Sequence, residues 1–217
     1  MINNLAGKKA PKEILENIEK LIEAYYTNKP DINIQNQKVS FGTSGHRGSS
    51  TKSSFNEDHI LAITQALCEY RKSAGINGVM HIGIDTHALS TPAQETALQV
   101  FLANEVHCKI AAKNTYTPTP VMSFTIIESN KNSKDLNDGV IITPSHNPPC
   151  DGGFKYNTPN GGPSDTDVTS VIEKRANEIL KDGLKDVKFI AKENIYESKF
   201  LEIADFITPY VKALDTI

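Results

Sequence analysis

Hydrophobic and polar positions along the chain follow two different periods, one helical and one typical of short buried strands. Apolar residues recur at helical spacing in five segments, and compact apolar runs lie between these segments. Because strands and helices alternate at short spacing, we predict an α/β fold with three layers, α/β/α, and a mixed sheet that is mostly parallel. The predicted helices lie in PKEILENIEKLIEAYYTNKP, NEDHILAITQALCEYRKSAG, LSTPAQETALQVFLAN, TYTPTPVMSFTIIES and SDTDVTSVIEKRANEILKDGL; the predicted strands lie in KVSF, VMHIGID, EVHCKIA and DGVIIT; and residues 187–217 predict a mixture of both.

Local signals place several helix boundaries. Thr91 is predicted to cap a helix in which Pro92 takes the first position and Gln94 completes a capping box. Gly75 and Gly183 are predicted to lie just past the ends of two other helices, since glycine readily adopts the left-handed conformation that closes a helix.

Three polar segments, GTSGHRGSS, DTHALST and TPSHNPPCDGG, each follow a predicted strand and are interpreted as loops. Ligands of open α/β sheets bind beyond the carboxyl ends of the strands. We therefore expect the three loops to converge at one edge of the sheet.

The third loop, which directly follows the apolar run DGVII, places Ser145 between prolines. A serine fixed and exposed in this way suits a nucleophile or a phosphate carrier, although a loop serine is most often a simple turn residue. The GxSxG motif of serine hydrolases is absent, and the neighbouring His146 does not build a triad, because adjacent side chains in an extended loop point apart. Acyl transfer is therefore disfavoured.

The surroundings of Ser145 favour phosphate as the reacting group. Arg47 offers a guanidinium fork and Lys155 a mobile point charge, while Gly152 and Gly153 are expected to let backbone approach a ligand closely. Taken singly, Lys155 also fits a solvated strand lysine and Arg47 a surface ion pair. Hydroxyl groups in the first loop belong to Thr43, Ser44, Ser49 and Ser50.

The composition limits the classes of binding partner that we expect. The 217 residues are enough for one large domain, and 23 basic against 26 acidic residues give a net charge of -3, without the basic surface that nucleic-acid binding needs. No apolar run approaches the roughly 20 residues of a membrane helix, so we expect a soluble cytoplasmic protein without membrane contact. Three cysteines without CxxC spacing argue against a disulfide framework and a cysteine zinc site.

The segment TPSHNPPCDGGFKYN, with FGTSGHRGSS upstream and GIDTHALS between them, resembles the N-terminal domain of the α-D-phosphohexomutases, most closely their bacterial glucose-specific branch. The similarity covers nearly all of the chain. The TPSHNP loop is a highly specific signal, FGTSGHRG supports it, and GIDTHALS is weaker. The doubled proline and the NGGP stretch favour the glucose-specific branch.

By that resemblance, Ser145 carries a phosphoryl group between a sugar bisphosphate and a sugar monophosphate. Lys155 and Arg47 correspond to candidates for the general acid or base and for stabilising charge, and His146 would position the phosphate or the reacting hydroxyl. The resemblance also implies Mg²⁺, bound in part through Ser145 or its phosphate, and glucose 1,6-bisphosphate as activator. The residues expected to bind substrate or phosphate are Thr43, Ser44, His46, Asn147 and His87.

Two departures from the family pattern matter. Many members have arginine where GIDTHALS has His87, so this residue is either a phosphate ligand or a loop histidine with structural hydrogen bonds. The aspartate-rich metal loop, the sugar-recognition loop and a C-terminal phosphate loop are missing, so we expect the first part of a longer enzyme, inactive alone. Its predicted divisions are a helical extension at 1–38, the phosphoserine domain at 39–205 and the start of a linker at 206–217.

The activity implied is that of a phosphoglucomutase, which interconverts glucose 1-phosphate and glucose 6-phosphate through a phosphoserine. Two alternatives stay open: a mutase of the same family acting on mannose or glucosamine phosphates, and a non-catalytic module that binds sugar phosphates. The oligomeric state is not indicated by the sequence.

Overall fold

The computed structural model describes residues 4–42, 45–112 and 115–215. Within them lie six helices and six strands, joined by short 3-10 turns. The helices are α1 (Ile18–Thr27), α2 (Glu57–Ser73), α3 (Ser90–Ala103), α4 (Thr119–Asn130), α5 (Thr166–Lys181) and α6 (Ile207–Leu214), and the strands are β1 (Gly45–Ser49), β2 (Met80–Ile84), β3 (Cys108–Ala111), β4 (Asp138–Ile142), β5 (Asp151–Asn157) and β6 (Leu201–Ala204).

The six strands form one mixed sheet in the order β1-β5-β4-β2-β3-β6. Strands β4, β2, β3 and β6 run parallel, whereas β5 is antiparallel to β4 and to β1. This arrangement confirms the predicted α/β fold with a mostly parallel mixed sheet. It also places the ends of β2 and β4 side by side, with β5 returning directly from the loop that follows β4.

Helices cover both faces of the sheet. Val140 and Ile142 of β4 belong to one apolar core with α1, α2, α3 and α5, whereas Ile141 between them belongs to a second core with α4 and α6. Successive side chains of a strand point to opposite faces, so a continuous apolar run such as VII is what a strand between two helical layers requires. The three predicted layers are therefore present.

A buried ionic network fixes the register of β4 and β5. Arg71 of α2 contacts Asp138 at 2.9 Å, and the Tyr156 hydroxyl donates to the same carboxylate at 2.8 Å. Burial raises the pKa of Asp138 to about 6, against the opposing pull of the Arg71 charge. Because Tyr156 is anchored on one face of β5, its neighbour Lys155 is directed to the other face.

Several predicted boundaries are wrong. The first helix begins only at Ile18, where the Asn17 side chain accepts from the Lys20 N–H at 2.9 Å, and the earlier Ile14 and Leu15 are exposed. The segment GHRGS is strand β1 and DGGFKYN is strand β5, although the sequence predicts loop for GHRGS and for the first three residues of β5. Pairing with each other gives these residues the sheet hydrogen bonds that their composition does not suggest.

The start of α3 also differs from the prediction. The helix begins at Ser90, one residue before Thr91, and no side chain caps it. Ser90 instead donates its hydroxyl proton to Asp85 at 2.6 Å, which anchors the preceding loop. Other boundaries agree with the sequence: Gly75 and Gly183 both have a positive φ next to the ends of α2 and α5.

None of the helices in the described ranges is both long and apolar enough to cross a membrane. The three cysteines, Cys68, Cys108 and Cys150, are unpaired, in agreement with the prediction that they form no disulfide framework.

Candidate active site

Ser145 lies at the carboxyl end of β4 in an exposed turn that we call the serine loop, residues 143–150. Its φ of +61° is in the left-handed region, which costs a residue other than glycine about 1–2 kcal/mol. The turn is held locally, because the Ser145 N–H donates to the Thr143 hydroxyl at 2.9 Å and the Asn147 N–H donates to the Pro144 carbonyl at 3.3 Å. The serine hydroxyl is thus presented to solvent on a defined backbone.

Lys155 contacts this hydroxyl directly. Its Nζ lies 2.6 Å from Ser145 Oγ, across the turn that joins β4 to β5. Desolvation lowers the pKa of Lys155, and the nearby positive charge of Arg47 lowers it further. A lysine with a lowered pKa is neutral in a larger fraction of molecules, and a neutral amine next to a hydroxyl can take up and return the proton of that hydroxyl.

Arg47 supplies a second positive charge on the same face. It pairs with Gly153 across the β1–β5 ladder, and Gly45 two residues earlier pairs with Lys155. Directly paired residues project to one side of a sheet, so the two cationic side chains lie on the same face. Arg47 Nε is buried without a hydrogen-bond partner among the described residues, which leaves a donor for an anionic group.

The two glycines of β5 make room for the chain itself. A Cβ on Gly153 would lie 2.1 Å from the Thr143 carbonyl oxygen, and one on Gly152 would lie 2.4 Å from the Phe55 ring. The sequence predicts that these glycines let the backbone approach a ligand, whereas in the structure they let β5 pack against Phe55 and the serine loop. Gly153 allows the start of the serine loop to lie against β5, where Lys155 can reach Ser145.

The loop after β2 meets the serine loop through His87. Its Nε2 lies 2.7 Å from the Pro149 carbonyl oxygen, and its Nδ1 lies 3.1 Å from the Leu89 nitrogen. Asp85 accepts from the His87 N–H at 2.9 Å and from Ser90. The structure brings His87 to the site, but its ring nitrogens already have structural partners.

The two residues after the serine differ in their contacts. His146 is exposed beside Ser145, and its ring has no hydrogen bond to the rest of the described chain, so it is free to meet a ligand. Asn147 donates from Nδ2 to Asp151 at 3.1 Å and thereby closes the base of the loop.

His46 is not brought to this site. Its ring is 1% exposed and stacks between Phe55 at 5.9 Å and His59 at 5.2 Å. It neighbours Arg47 in β1, so its side chain takes the opposite face of the strand, inside the core. The expectation that His46 binds phosphate is therefore corrected. The other two predicted ligands of this segment, Thr43 and Ser44, lie outside the described residues.

A cleft of about 510 Å³ opens beside Ser145. The loops that contain His87 and Asn147 form one side, and Leu15 and Ile18 from the N-terminal segment form another. No pattern in the sequence predicts that this segment lies at the site. The apolar stripe of this segment extends beyond the start of the helix that forms. Leu15, before the helix, and Ile18, its first residue, are both exposed.

The described residues do not complete a metal site. They contain no cluster of three or more histidine, cysteine, aspartate or glutamate side chains that could hold an ion. The two carboxylates nearest in sequence to the site loops are engaged, Asp85 with His87 and Ser90, and Asp151 with Asn147. Ser145, the one residue predicted to contribute to a metal site, is exposed in the described loop.

Comparison with known proteins identifies relatives along the chain. The family model described as phosphoglucomutase/phosphomannomutase, alpha/beta/alpha domain I, matches residues 38–182. A phosphoglucomutase from Komagataeibacter xylinus is 54% identical over 217 residues, covering 100% of this chain and 39% of the relative. A phosphoglucomutase from Staphylococcus aureus is 25% identical over 201 residues, covering 90% of this chain and 33% of the relative.

Solved structures share the fold. The Paramecium phosphoprotein pp63/parafusin, a phosphoglucomutase in its open form, superposes with a TM-score of 0.68 at 18% identity, covering 87% of this chain and 36% of that one. A phosphoglucomutase/phosphomannomutase family protein from Burkholderia thailandensis gives a TM-score of 0.53 at 19% identity, covering 80% and 35%. The chain therefore spans less than two fifths of either structure.

Proposed function

The chain belongs to the phosphoglucomutase/phosphomannomutase family, and from that premise we propose that it carries the phosphoserine of a phosphoglucomutase. The reaction would interconvert glucose 1-phosphate and glucose 6-phosphate through glucose 1,6-bisphosphate. The observation that carries the proposal is the contact between Lys155 Nζ and Ser145 Oγ at 2.6 Å, with Arg47 on the same face of the sheet.

In the loading step, Ser145 Oγ attacks one phosphorus of the bisphosphate. The new bond joins Oγ to phosphorus, the bond from phosphorus to the sugar oxygen breaks, and that oxygen leaves with the pair of electrons and takes up a proton from solvent to become the hydroxyl of the monophosphate. Neutral Lys155 takes the hydroxyl proton, and its lowered pKa increases the fraction of enzyme in which it can do so. The return step reverses each of these changes on the other end of the sugar.

Positive charge is the second requirement of the reaction. Phosphoryl transfer depends mainly on positioning and on stabilising the charge of the equatorial oxygens. Arg47 can donate two hydrogen bonds to such oxygens, and its Nε has no partner among the described residues. His146, exposed next to the serine, is proposed to position the phosphate or the accepting hydroxyl.

Mg²⁺ is proposed as the cofactor, with an oxygen of Ser145 or of its phosphate as one ligand. When bound, the ion would neutralise part of the phosphoryl charge. The described residues contain no cluster of three or more histidine, cysteine, aspartate or glutamate side chains that could hold the ion, so we propose that further ligands come from water, substrate or other protein segments.

Glucose is proposed as the sugar because the relative with 54% identity is named a phosphoglucomutase. The family name also covers phosphomannomutases, so mannose phosphates are the competing substrates. Two expectations stay predictions: that the chain is the first part of a longer enzyme, and that domain boundaries lie after residues 38 and 205.

A phosphorylation assay tests the proposal. The full-length protein expected to contain this chain is incubated with glucose 1,6-bisphosphate and Mg²⁺, and peptide mass spectrometry locates any phosphoryl group. We expect it on Ser145, and the matched variant Ser145→Ala should stay unmodified. Modification of another residue, or equal modification of the variant, would contradict the proposal. Mannose 1,6-bisphosphate in parallel separates the two sugars.

A further inference from the structure

The protonation of the His87 ring follows from its two partners. The Pro149 carbonyl oxygen can only accept a hydrogen bond, and the Leu89 N–H can only donate one. The proton therefore lies on Nε2, and Nδ1 presents its lone pair to Leu89. In this state the ring is neutral and both of its nitrogens are used, so it offers no charge and no free donor to a phosphate.

The serine loop has few backbone donors with which to hold itself. Pro144, Pro148 and Pro149 lack an N–H, and prolines therefore deprive the loop of hydrogen bonds that other residues would supply. Its left-handed Ser145 is conformationally costly, so surrounding contacts must keep it in place. Among the described residues, the bond from His87 to Pro149 is a restraint on the serine loop that comes from a different loop.

His87 is itself anchored to the fold. Its backbone N–H donates to Asp85 at 2.9 Å, and Asp85 accepts the Ser90 hydroxyl at 2.6 Å in the first turn of α3. The Asp85 N–H in turn donates to the carbonyl of Ile142, the last residue of β4. The restraint on Pro149 thus runs back to a helix and to the strand that leads into the serine loop.

We propose that His87 is a positioning residue for Ser145, which holds the serine loop through the Nε2–H to Pro149 bond and does not bind phosphate. The proposal rests on the proposed function only in taking Ser145 as the residue that must be positioned. The tether itself is a property of the fold.

Two amide substitutions separate the two nitrogens of the ring. His87→Asn places an oxygen near the position of Nδ1, where it can still accept from Leu89 two residues on, but it is too short to reach Pro149. His87→Gln extends its amide to about the position of Nε2 and can donate to Pro149. The first variant therefore removes the tether and keeps the local turn, and the second retains the tether.

Cys150 is a built-in reporter of the loop. It follows Pro149 directly and is half-buried, whereas Cys68 and Cys108 are buried in the core. Its rate of labelling by a disulfide reagent measures how often the loop opens. We expect His87→Asn to raise this rate about fivefold, which corresponds to the loss of one net hydrogen bond, and His87→Gln to stay near the wild-type rate.

Transfer of a phosphoryl group from glucose 1,6-bisphosphate to Ser145 is then measured in the full-length forms of the same three proteins. The proposal predicts slower transfer for His87→Asn and recovery in His87→Gln. Wild-type labelling of Cys150 in His87→Asn, or equal acceleration in both variants, would overturn the tether. If the wild-type full-length protein accepts no phosphoryl group, the proposed function fails, and the labelling rates alone still decide whether the tether exists.

Discussion

Lys155 Nζ lies 2.6 Å from Ser145 Oγ, although one residue belongs to a strand and the other to the loop before it. The contact depends on three features of the fold. Gly153 lets the loop lie against β5, the left-handed Ser145 turns its hydroxyl outward, and the buried Tyr156 directs Lys155 to the opposite face. A pair so placed is suited to proton exchange between amine and hydroxyl.

Replacing Lys155 should separate proton transfer from simple charge. Lys155→Met removes both, and we expect a loss of about 10²–10⁴-fold in the rate of phosphoryl transfer to Ser145. Lys155→Arg keeps the positive charge but holds its proton at all accessible pH values, so it should be impaired to a similar extent. Quench-flow measurement with glucose 1,6-bisphosphate gives the rates. Recovery of most of the activity by arginine would show that charge alone is needed.

Arg47 should influence the reaction in two ways. Its charge lowers the pKa of Lys155, after the larger effect of desolvation, so Arg47→Ala should raise that pKa. The neutral amine would then prevail only at higher pH, and the pH profile of phosphoryl transfer should shift in the alkaline direction. Arg47→Lys keeps a charge without the fork, and should shift the profile less while still weakening phosphate binding. A profile that does not move in Arg47→Ala would contradict the coupling.

Gly153 should be intolerant of any side chain. In Gly153→Ala the new Cβ would meet the Thr143 carbonyl oxygen at 2.1 Å, and neither the carbonyl nor a Cβ fixed to the backbone can rotate away. We expect a loss of about 1–3 kcal/mol in the free energy of unfolding, measured by urea denaturation. Gly42→Ala is the control, since its nearest contact would be 3.9 Å away. Equal stability of the two variants would show that the loop does not pack on β5 as described.

The sequence and the fold agree best where packing and local pattern favour the same structure. The apolar runs of β2 and β4 form strands that helices cover on both faces. The TPSHNP motif locates the serine loop from the sequence alone. The strand GHRGS was missed because glycine and polar residues have low strand propensity, and only the β1–β5 pairing overrides it. Once this segment is a strand, Arg47 at the site and His46 in the core follow from alternation.

The contact between His87 and Pro149 could not be predicted from the sequence. It joins residues 62 positions apart in two loops, and neither loop carries a pattern that specifies the other. The family resemblance left His87 open between a phosphate ligand and a structural residue. Only the placement of both ring nitrogens favours the second reading.

Acid stability provides a test of the buried histidines beneath β1. Burial lowers the pKa of His46 to about 3 and that of His59 to about 4, and each ring also faces the other at 5.2 Å. In the unfolded chain both titrate near 6.5. Between pH 6.5 and pH 4 the unfolded state therefore binds protons that the folded state does not bind. The contribution of these histidines to the free energy of unfolding is fully present above pH 6.5 and is lost as the pH decreases.

The slope of stability against pH should report this pair. Each proton bound only by the unfolded state lowers the free energy of unfolding by about 1.4 kcal/mol per pH unit. Asp138 acts in the opposite direction by up to one proton, because its raised pKa makes the folded state bind a proton near pH 6. His81, whose pKa is lowered to about 4 by burial, adds one more proton that only the unfolded state binds. His46→Phe retains stacking on Phe55 and removes one titrating group. Urea denaturation between pH 7 and pH 4.5 should therefore give a slope smaller by about 1.4 kcal/mol per pH unit in the variant, and identical slopes would mean that His46 is protonated as easily in the folded protein as in the unfolded chain.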